Sequence, residues 1–368
     1  MVKDIVFHIG DCKTGTTSIQ TMLARRAWTA APKTVCYSAR LNHNPIASKL
    51  RQGGELARKE GEKIAGDFRA SDADIGVISA EHFEFCDPEV LLRLVEGPLA
   101  DWSGYIRLIH FVRPHIDRFR ATFIERCKKG GCLDDIETAC AGILDEGLLD
   151  YAPRLARWHT AFGTAIKTRA YVPDHFPNRD VRTTFLTELF GTDAVAPTDA
   201  TRENQSLSLQ QVVLLRYMHA EMALPDIARD GGRAFGWNFG KILAELETTN
   251  PQPLTLPETV VERLKTRCRT DAANVDGILG GSVFASELLR QTGSAETQSL
   301  RPEDHFSIDT LQVARAYARL TTRLIQSDPS HFAWAAREEE FRRSRPARRQ
   351  LARHLKPKSL FSRLSLLR

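Results

Sequence analysis

Between Gly10 and Ser18 the chain reads GDCKTGTTS, two glycines and four hydroxyl side chains gathered around one lysine, Lys13. An apolar run, DIVFHIG (Asp4 to Gly10), precedes it, and a helical pattern from Thr16 to Arg26 follows. A strand-to-helix turn of this composition sets successive backbone N–H groups, and the positive end of a helix dipole, where an anion can be cradled. The glycines allow close approach of the backbone, while Thr16, Thr17 and Ser18 can add hydroxyl donors. Inside the loop, the ammonium of Lys13 can neutralise charge on a bridging oxygen during group transfer.

Gly10 and Gly15 have the GxxxxG spacing of a Walker A loop, but Thr16 stands where that motif needs its lysine. The segment HIGDCKTGTTSIQ instead resembles the 5′-phosphosulfate loop of the sulfotransferase family, especially its bacterial branch. The resemblance implies a P-loop-like α/β fold and 3′-phosphoadenylyl sulfate (PAPS) as co-substrate. It also implies that Lys13 contacts the bridging oxygen of the leaving phosphate and that Thr14, Gly15, Thr16, Thr17 and Ser18 hold the phosphosulfate. Cys12 stands where many members carry Pro or His, a change that bears on loop stiffness more than on chemistry.

A nucleotide with a separate 3′-phosphate needs a second cation at another strand end, and Arg113 fits, its guanidinium fork being matched to phosphate. The stretch FVRPHIDRFRATFIERCKKGG resembles the family's 3′-phosphate motif, in which a serine follows the arginine by eight residues. Here Ala121 holds that position and Thr122 is next to it, so either Thr122 substitutes after a shift of register or the contact is absent. AIKTRAYVPDHFPNRDVRTTFLTELFG and ENQSLSLQQVVLL extend the resemblance to about residue 220.

Transfer to a hydroxyl benefits from a base that takes the acceptor proton. ISAEHF places Glu81 and His82 just past a β-rich run; Glu81 is favoured, against the plain alternative that it caps the next helix while His82 packs beneath it. His8 and His110 lie in apolar runs and are expected as hydrogen-bonded core residues. The chemistry requires no metal.

The elements that must hold these residues are read from periodicity. β-rich runs at 4–10, 33–38, 74–80, 105–112 and 165–172 alternate with helical patterns at 16–26, 46–68, 88–99, 115–129, 136–146, 151–162 and 181–190. That alternation predicts a P-loop-like, three-layer α/β fold around a parallel sheet, with function at the strand carboxyl ends. Beyond about residue 200 only helical patterns remain, at 207–223, 240–248, 257–270 and 308–327. The expected organisation is a nucleotide-binding core over 1–200, a helical extension of the same unit over 201–330, and a basic tail over 331–368.

Of 368 residues, 42% are hydrophobic and 26% charged, ordinary for a globular chain. From Arg342 to Arg368 there are ten basic residues and no acid; without them the net +5 becomes about −5, which argues against a nucleic-acid surface. Leu and Phe interleave with the charges in LFSRLSLLR, so the tail is either a membrane-contacting segment or a solvated one. Seven scattered cysteines, Cys127 and Cys132 among them, suit free thiols in a reducing compartment. With no leader-like start and no long apolar run, the expectation is a cytoplasmic enzyme. The acceptor class expected by analogy is a small molecule or glycan; the competing readings are an ATP-dependent P-loop transferase and a non-catalytic nucleotide-binding protein.

Overall fold

The structure, a computed structural model, describes residues 1–37, 41–199, 206–222, 229–246, 248 and 250–328. The basic tail and residues 203–205 of the ENQSLS segment lie outside the described residues. Five strands, β1 (Asp4–His8), β2 (Val35–Cys36), β3 (Ile75–Ser79), β4 (Ile106–Val112) and β5 (Ile166–Ala170), form one sheet in the order β2-β3-β1-β4-β5, every pair parallel. Each falls inside one of the five β-rich runs.

The sheet is covered on both faces, which is why its central strands read as unbroken apolar runs. Ile5, Phe7, Ile78 and Leu108 face one layer: α2 (Asn44–Gln52), α3 (Gly54–Arg69), α4 (Pro88–Glu96) and α7 (Tyr151–Phe162). Val6, Val77, Ile109 and Phe111 face the other, formed by α1 (Thr16–Arg25) and α8 (Val181–Phe190). This is the three-layer α/β architecture expected from the alternation. After β1 the chain winds one way across the sheet and after β4 the other, so the crevice beyond the carboxyl ends of these neighbouring strands is a topological switch point.

A separate helical core gathers α5 (His115–Lys128), α6 (Ile136–Asp145), α9 (Leu209–Met222), α11 (Glu258–Leu279) and α12 (Val283–Arg290). It includes Val112 at the end of β4 together with Phe119 and Phe123 of α5, so α5 joins the helical extension to the sheet. Met218 and Phe235 belong to a smaller cluster that α9 forms with α10 (Arg229–Glu245) and α13 (Ile308–Ser327).

The differences from the periodicity have local causes. The helix expected over 46–68 is two helices, broken at Gly53, whose φ of 72° and ψ of −164° no helix accommodates. α10 begins eleven residues before the expected start at 240, hidden by Gly231, Gly232, Gly236 and Gly240. Two of those glycines have a packing reason in α5: a Cβ on Gly236 would stand 1.9 Å from the carbonyl oxygen of Lys128, and one on Gly240 2.6 Å from Lys128 Cδ. α12 is an addition to the helices expected from periodicity, and its cap comes from another helix, the Asp276 carboxylate accepting from the N–H groups of Phe284 and Ala285 at 2.9 and 2.8 Å.

Gly236→Ala should therefore lower the unfolding free energy by about 1–3 kcal/mol through overpacking. Gly277→Ala, in α11 with open space around it, should raise it by about 0.5–1 kcal/mol through helix propensity. Urea denaturation of the two variants beside the wild type measures both.

Candidate active site

The turn from β1 to α1 passes through two left-handed residues, Lys13 (φ 69°) and Gly15 (φ 74°). Gly15 has no substitute, since a Cβ there would lie 2.8 Å from Val181 Cγ1 and 3.1 Å from Tyr171 Cε2. A lysine at such a φ is strained, so contacts outside the loop must hold it. The Cys12 N–H donates to Glu84 Oε2 at 2.9 Å, and Lys13 Nζ donates to Glu125 Oε2 at 2.7 Å. Within the loop, Thr14 Oγ1 donates to the Asp11 carbonyl at 2.6 Å. Gly15 is the N-cap of α1; no side chain caps that helix end and its first turn carries no acid, which leaves the positive end of the dipole to an anion.

Two buried carboxylates support the loop, Asp11 from within it and Glu84 from outside. Asp11 receives both Nη atoms of Arg154, each at 2.7 Å, and shares a 3.0 Å hydrogen bond with His110 Nε2. Burial alone would raise its pKa, but the Arg154 guanidinium and then His110 outweigh it and hold the carboxyl well below the usual range. Glu84 accepts from Arg118 Nη2 at 2.8 and 3.0 Å as well as from the Cys12 N–H. Arg118 is buried, which disfavours its charge, yet Glu84 more than restores it.

Arg118, Thr122 and Glu125 recur at helical spacing on α5, so a single stripe of that helix meets the loop. Arg118 reaches it through Glu84, Glu125 reaches Lys13 directly, and Thr122 lies buried between them. Ala121 shares the stripe and brings only a methyl to it. Glu125 also accepts from Lys128 and Lys129 at 2.9 and 2.7 Å. Burial pushes its pKa up, but the three lysines prevail and hold it low.

Arg113 follows β4 directly, with Cζ 4.6 Å from the centroid of the Tyr171 ring. Tyr171 is also the ring that a Cβ on Gly15 would strike, so one phenol adjoins both the loop and Arg113. Burial lowers the pKa of Arg113, although an arginine stays charged regardless. Tyr171 and then Asp117 offset part of that burial; among the described residues no carboxylate lies within 4.0 Å of the guanidinium, so a bound anion would add to the compensation.

Of the two candidate bases, Glu81 is beside the loop, its Oε2 accepting from Thr16 Oγ1 at 2.9 Å. It caps no helix with its side chain. The His82 ring packs near Phe85 at 6.2 Å, and the His82 backbone N–H donates to Asn44 Oδ1 at 3.3 Å. The hydroxyls of Thr14 and Thr16 are thus engaged by the protein, and Thr17 and Ser18 lie half-buried in the first turn of α1, Ser18 with an interaction of its own. His8 is a core residue, bonded through Nδ1 to Ser79 Oγ at 2.7 Å and pushed down to about 3 by burial and the neighbouring His110. All seven cysteines are free, and a hydrogen bond from Cys127 lowers the pKa of the Cys132 thiol. No three His, Cys, Asp or Glu residues gather as metal ligands among the described residues, and no described helix is long and apolar enough to cross a membrane.

No family model and no curated protein matches the chain. Among solved structures it is similar to a sulfotransferase from Alicyclobacillus acidocaldarius, with 12% identity and a TM-score of 0.46, over 79% of this chain and 100% of that one. At that level of likeness nothing is carried from one chain to the other.

Asp11→Asn strands the Arg154 guanidinium and should cost about 3–5 kcal/mol; adding Arg154→Met should recover part of it. Because the folded carboxyls of Asp11 and Glu125 are depressed, their contribution is complete above the unfolded carboxylate value of about 4 and is lost as pH falls through the folded values. Urea midpoints measured from pH 7 down to pH 3 should fall more steeply for the wild type than for the double variant.

Proposed function

We propose that the chain is a sulfotransferase that moves a sulfuryl group from PAPS to an acceptor hydroxyl or amine. The observation that carries the reading is the pair of cations at neighbouring strand ends, Lys13 after β1 and Arg113 after β4, both close to an uncapped helix N-terminus. A donor with a phosphosulfate at one end and a separate 3′-phosphate at the other needs two such anion sites. The sequence of the loop supports the same donor, since its lysine lies before Gly15, where a Walker A loop has none.

In the proposed reaction, the bond from sulfur to the bridging phosphate oxygen breaks and a new bond from sulfur to the acceptor oxygen forms. The electron pair leaves on the phosphate of adenosine 3′,5′-bisphosphate, where the Lys13 ammonium stabilises it. The backbone N–H groups at the start of α1, with Thr17 and Ser18, hold the 5′-phosphosulfate, and Arg113 holds the 3′-phosphate. Glu81 takes the acceptor proton. The acceptor class that fits best by analogy is a carbohydrate or glycoconjugate.

Transfer of labelled sulfate from PAPS into an acceptor pool tests the reaction. Lys13→Ala should lower the rate by about 10²–10³-fold with the fold intact, and Glu81→Gln by about 10²–10⁴-fold. Arg113→Ala should weaken adenosine 3′,5′-bisphosphate by about 10–100-fold and leave 5′-AMP unchanged, as expected for one charge-assisted contact to the 3′-phosphate. Full activity of Lys13→Ala, or tighter binding of ATP than of the bisphosphate, would sink the reading.

A further inference from the structure

Beside Lys13 the protein gathers more positive charge than the transfer step uses. The ammonium groups of Lys13, Lys128 and Lys129 stand 2.7, 2.9 and 2.7 Å from a single carboxylate, Glu125. Three cations on one acid leave that group at net +2, and no second acid pairs with Lys128 or Lys129 among the described residues. Burial works against the charge of Lys128 and brings its pKa down to about 8 despite Glu125. What faces these lysines from the other side is an indole: the Trp237 ring centroid lies 4.2 Å from Lys128 Nζ, 5.1 Å from Lys129 Nζ and 4.7 Å from Lys241 Nζ. An aromatic face attracts an ammonium without cancelling its charge. The cations are therefore held in place while remaining able to attract an anion.

The cluster depends on a close helix approach. Trp237 reaches the lysines because Gly236 and Gly240, on either side of it, let the α10 backbone close on Lys128. His219 Nε2 fixes the end of α5 through a 2.9 Å bond to the Lys128 carbonyl. Lys129 keeps 42% of its side chain exposed, against 13% for Lys128, so an incoming group meets Lys129 first. The 5′ and 3′ anions of the donor already have the loop and Arg113.

We propose that Lys128, Lys129 and Trp237 form an acceptor subsite next to Lys13, selecting an acceptor that carries its own carboxylate, sulfate or phosphate beside the hydroxyl to be sulfated. This rests on the sulfuryl-transfer reading above. The ligand's anion completes the charge balance around Glu125, and that contact brings the neighbouring hydroxyl to the side of the loop where Lys13 lies.

The probes are 4-nitrophenyl β-D-glucuronide and 4-nitrophenyl β-D-glucoside, which differ by one carboxylate, titrated by calorimetry into the full chain saturated with adenosine 3′,5′-bisphosphate. The wild type should bind the glucuronide about tenfold more tightly than the glucoside, the size of one charge-assisted hydrogen bond. Lys129→Gln and Trp237→Leu should each remove most of that preference, and Lys129→Gln should leave the affinity for the bisphosphate unchanged. Equal binding of the two glycosides by the wild type, or an intact preference in Lys129→Gln, overturns the assignment. So does a parallel loss of bisphosphate affinity in Lys129→Gln, which would put these lysines in the donor site. A wild-type chain that fails to bind the bisphosphate at all refutes the sulfuryl-transfer reading itself, and the subsite with it.

Discussion

Two buried carboxylates, Asp11 and Glu84, hold the β1–α1 loop in a shape it would not adopt alone. A lysine at φ 69° costs of the order of 1–3 kcal/mol and persists only where its surroundings over-determine it. Asp11 is bound by Arg154 from α7 and His110 from β4, and Glu84 joins Arg118 of α5 to the N–H of Cys12. The loop is thus tied to a strand and to helices on different parts of the sheet. Each tie is also a liability, because deleting one partner leaves the other charged and buried.

α5 transmits the same constraint outward. Its apolar side, Phe119 and Phe123, belongs to the helical core, while its polar stripe of Arg118, Thr122 and Glu125 meets the loop. The helical extension therefore bears on the site through α5 and also through α7, the helix of Arg154, whose first N–H groups at Tyr151 and Ala152 donate to Asp271 of α11 at 3.1 and 2.9 Å, and α10 adds Trp237 where α5 ends. An extension that looks like added bulk in the sequence supplies the surroundings of the loop lysine.

The sheet was legible because buried parallel strands leave continuous apolar runs, and all five strands fall within the runs read from the chain. The loop was legible because its glycines, hydroxyls and lysine are contiguous. What supports the loop was not. Asp11, Glu84, Arg118, Glu125 and Arg154 act as pairs brought together across 34 to 143 residues, and no local pattern marks such partners. The 118/122/125 spacing on α5 was the available hint, but a polar stripe on a helix reads as solvated surface until the fold covers it. The start of α10 was not legible for a related reason: two of the glycines that lower its helix propensity, Gly236 and Gly240, are there for a neighbour more than a hundred residues away, Lys128.

Glu125 bears on how Lys13 can act. A lysine held by its own carboxylate would have to break a full ion pair before serving a leaving phosphate. Here the carboxylate is shared with Lys128 and Lys129 at comparable distances, 2.9 and 2.7 Å against 2.7 Å for Lys13. When Lys13 turns toward an anion in the loop, Glu125 keeps two cations and its charge stays compensated, so the cost of release falls well below that of an isolated buried pair. The same sharing keeps the Lys13 ammonium beside the loop while no anion is bound. Under the proposed chemistry, Glu125 is then a positioning residue that holds the lysine near its task without neutralising it, and the surplus charge it leaves on Lys128 and Lys129 is what an acidic acceptor would meet.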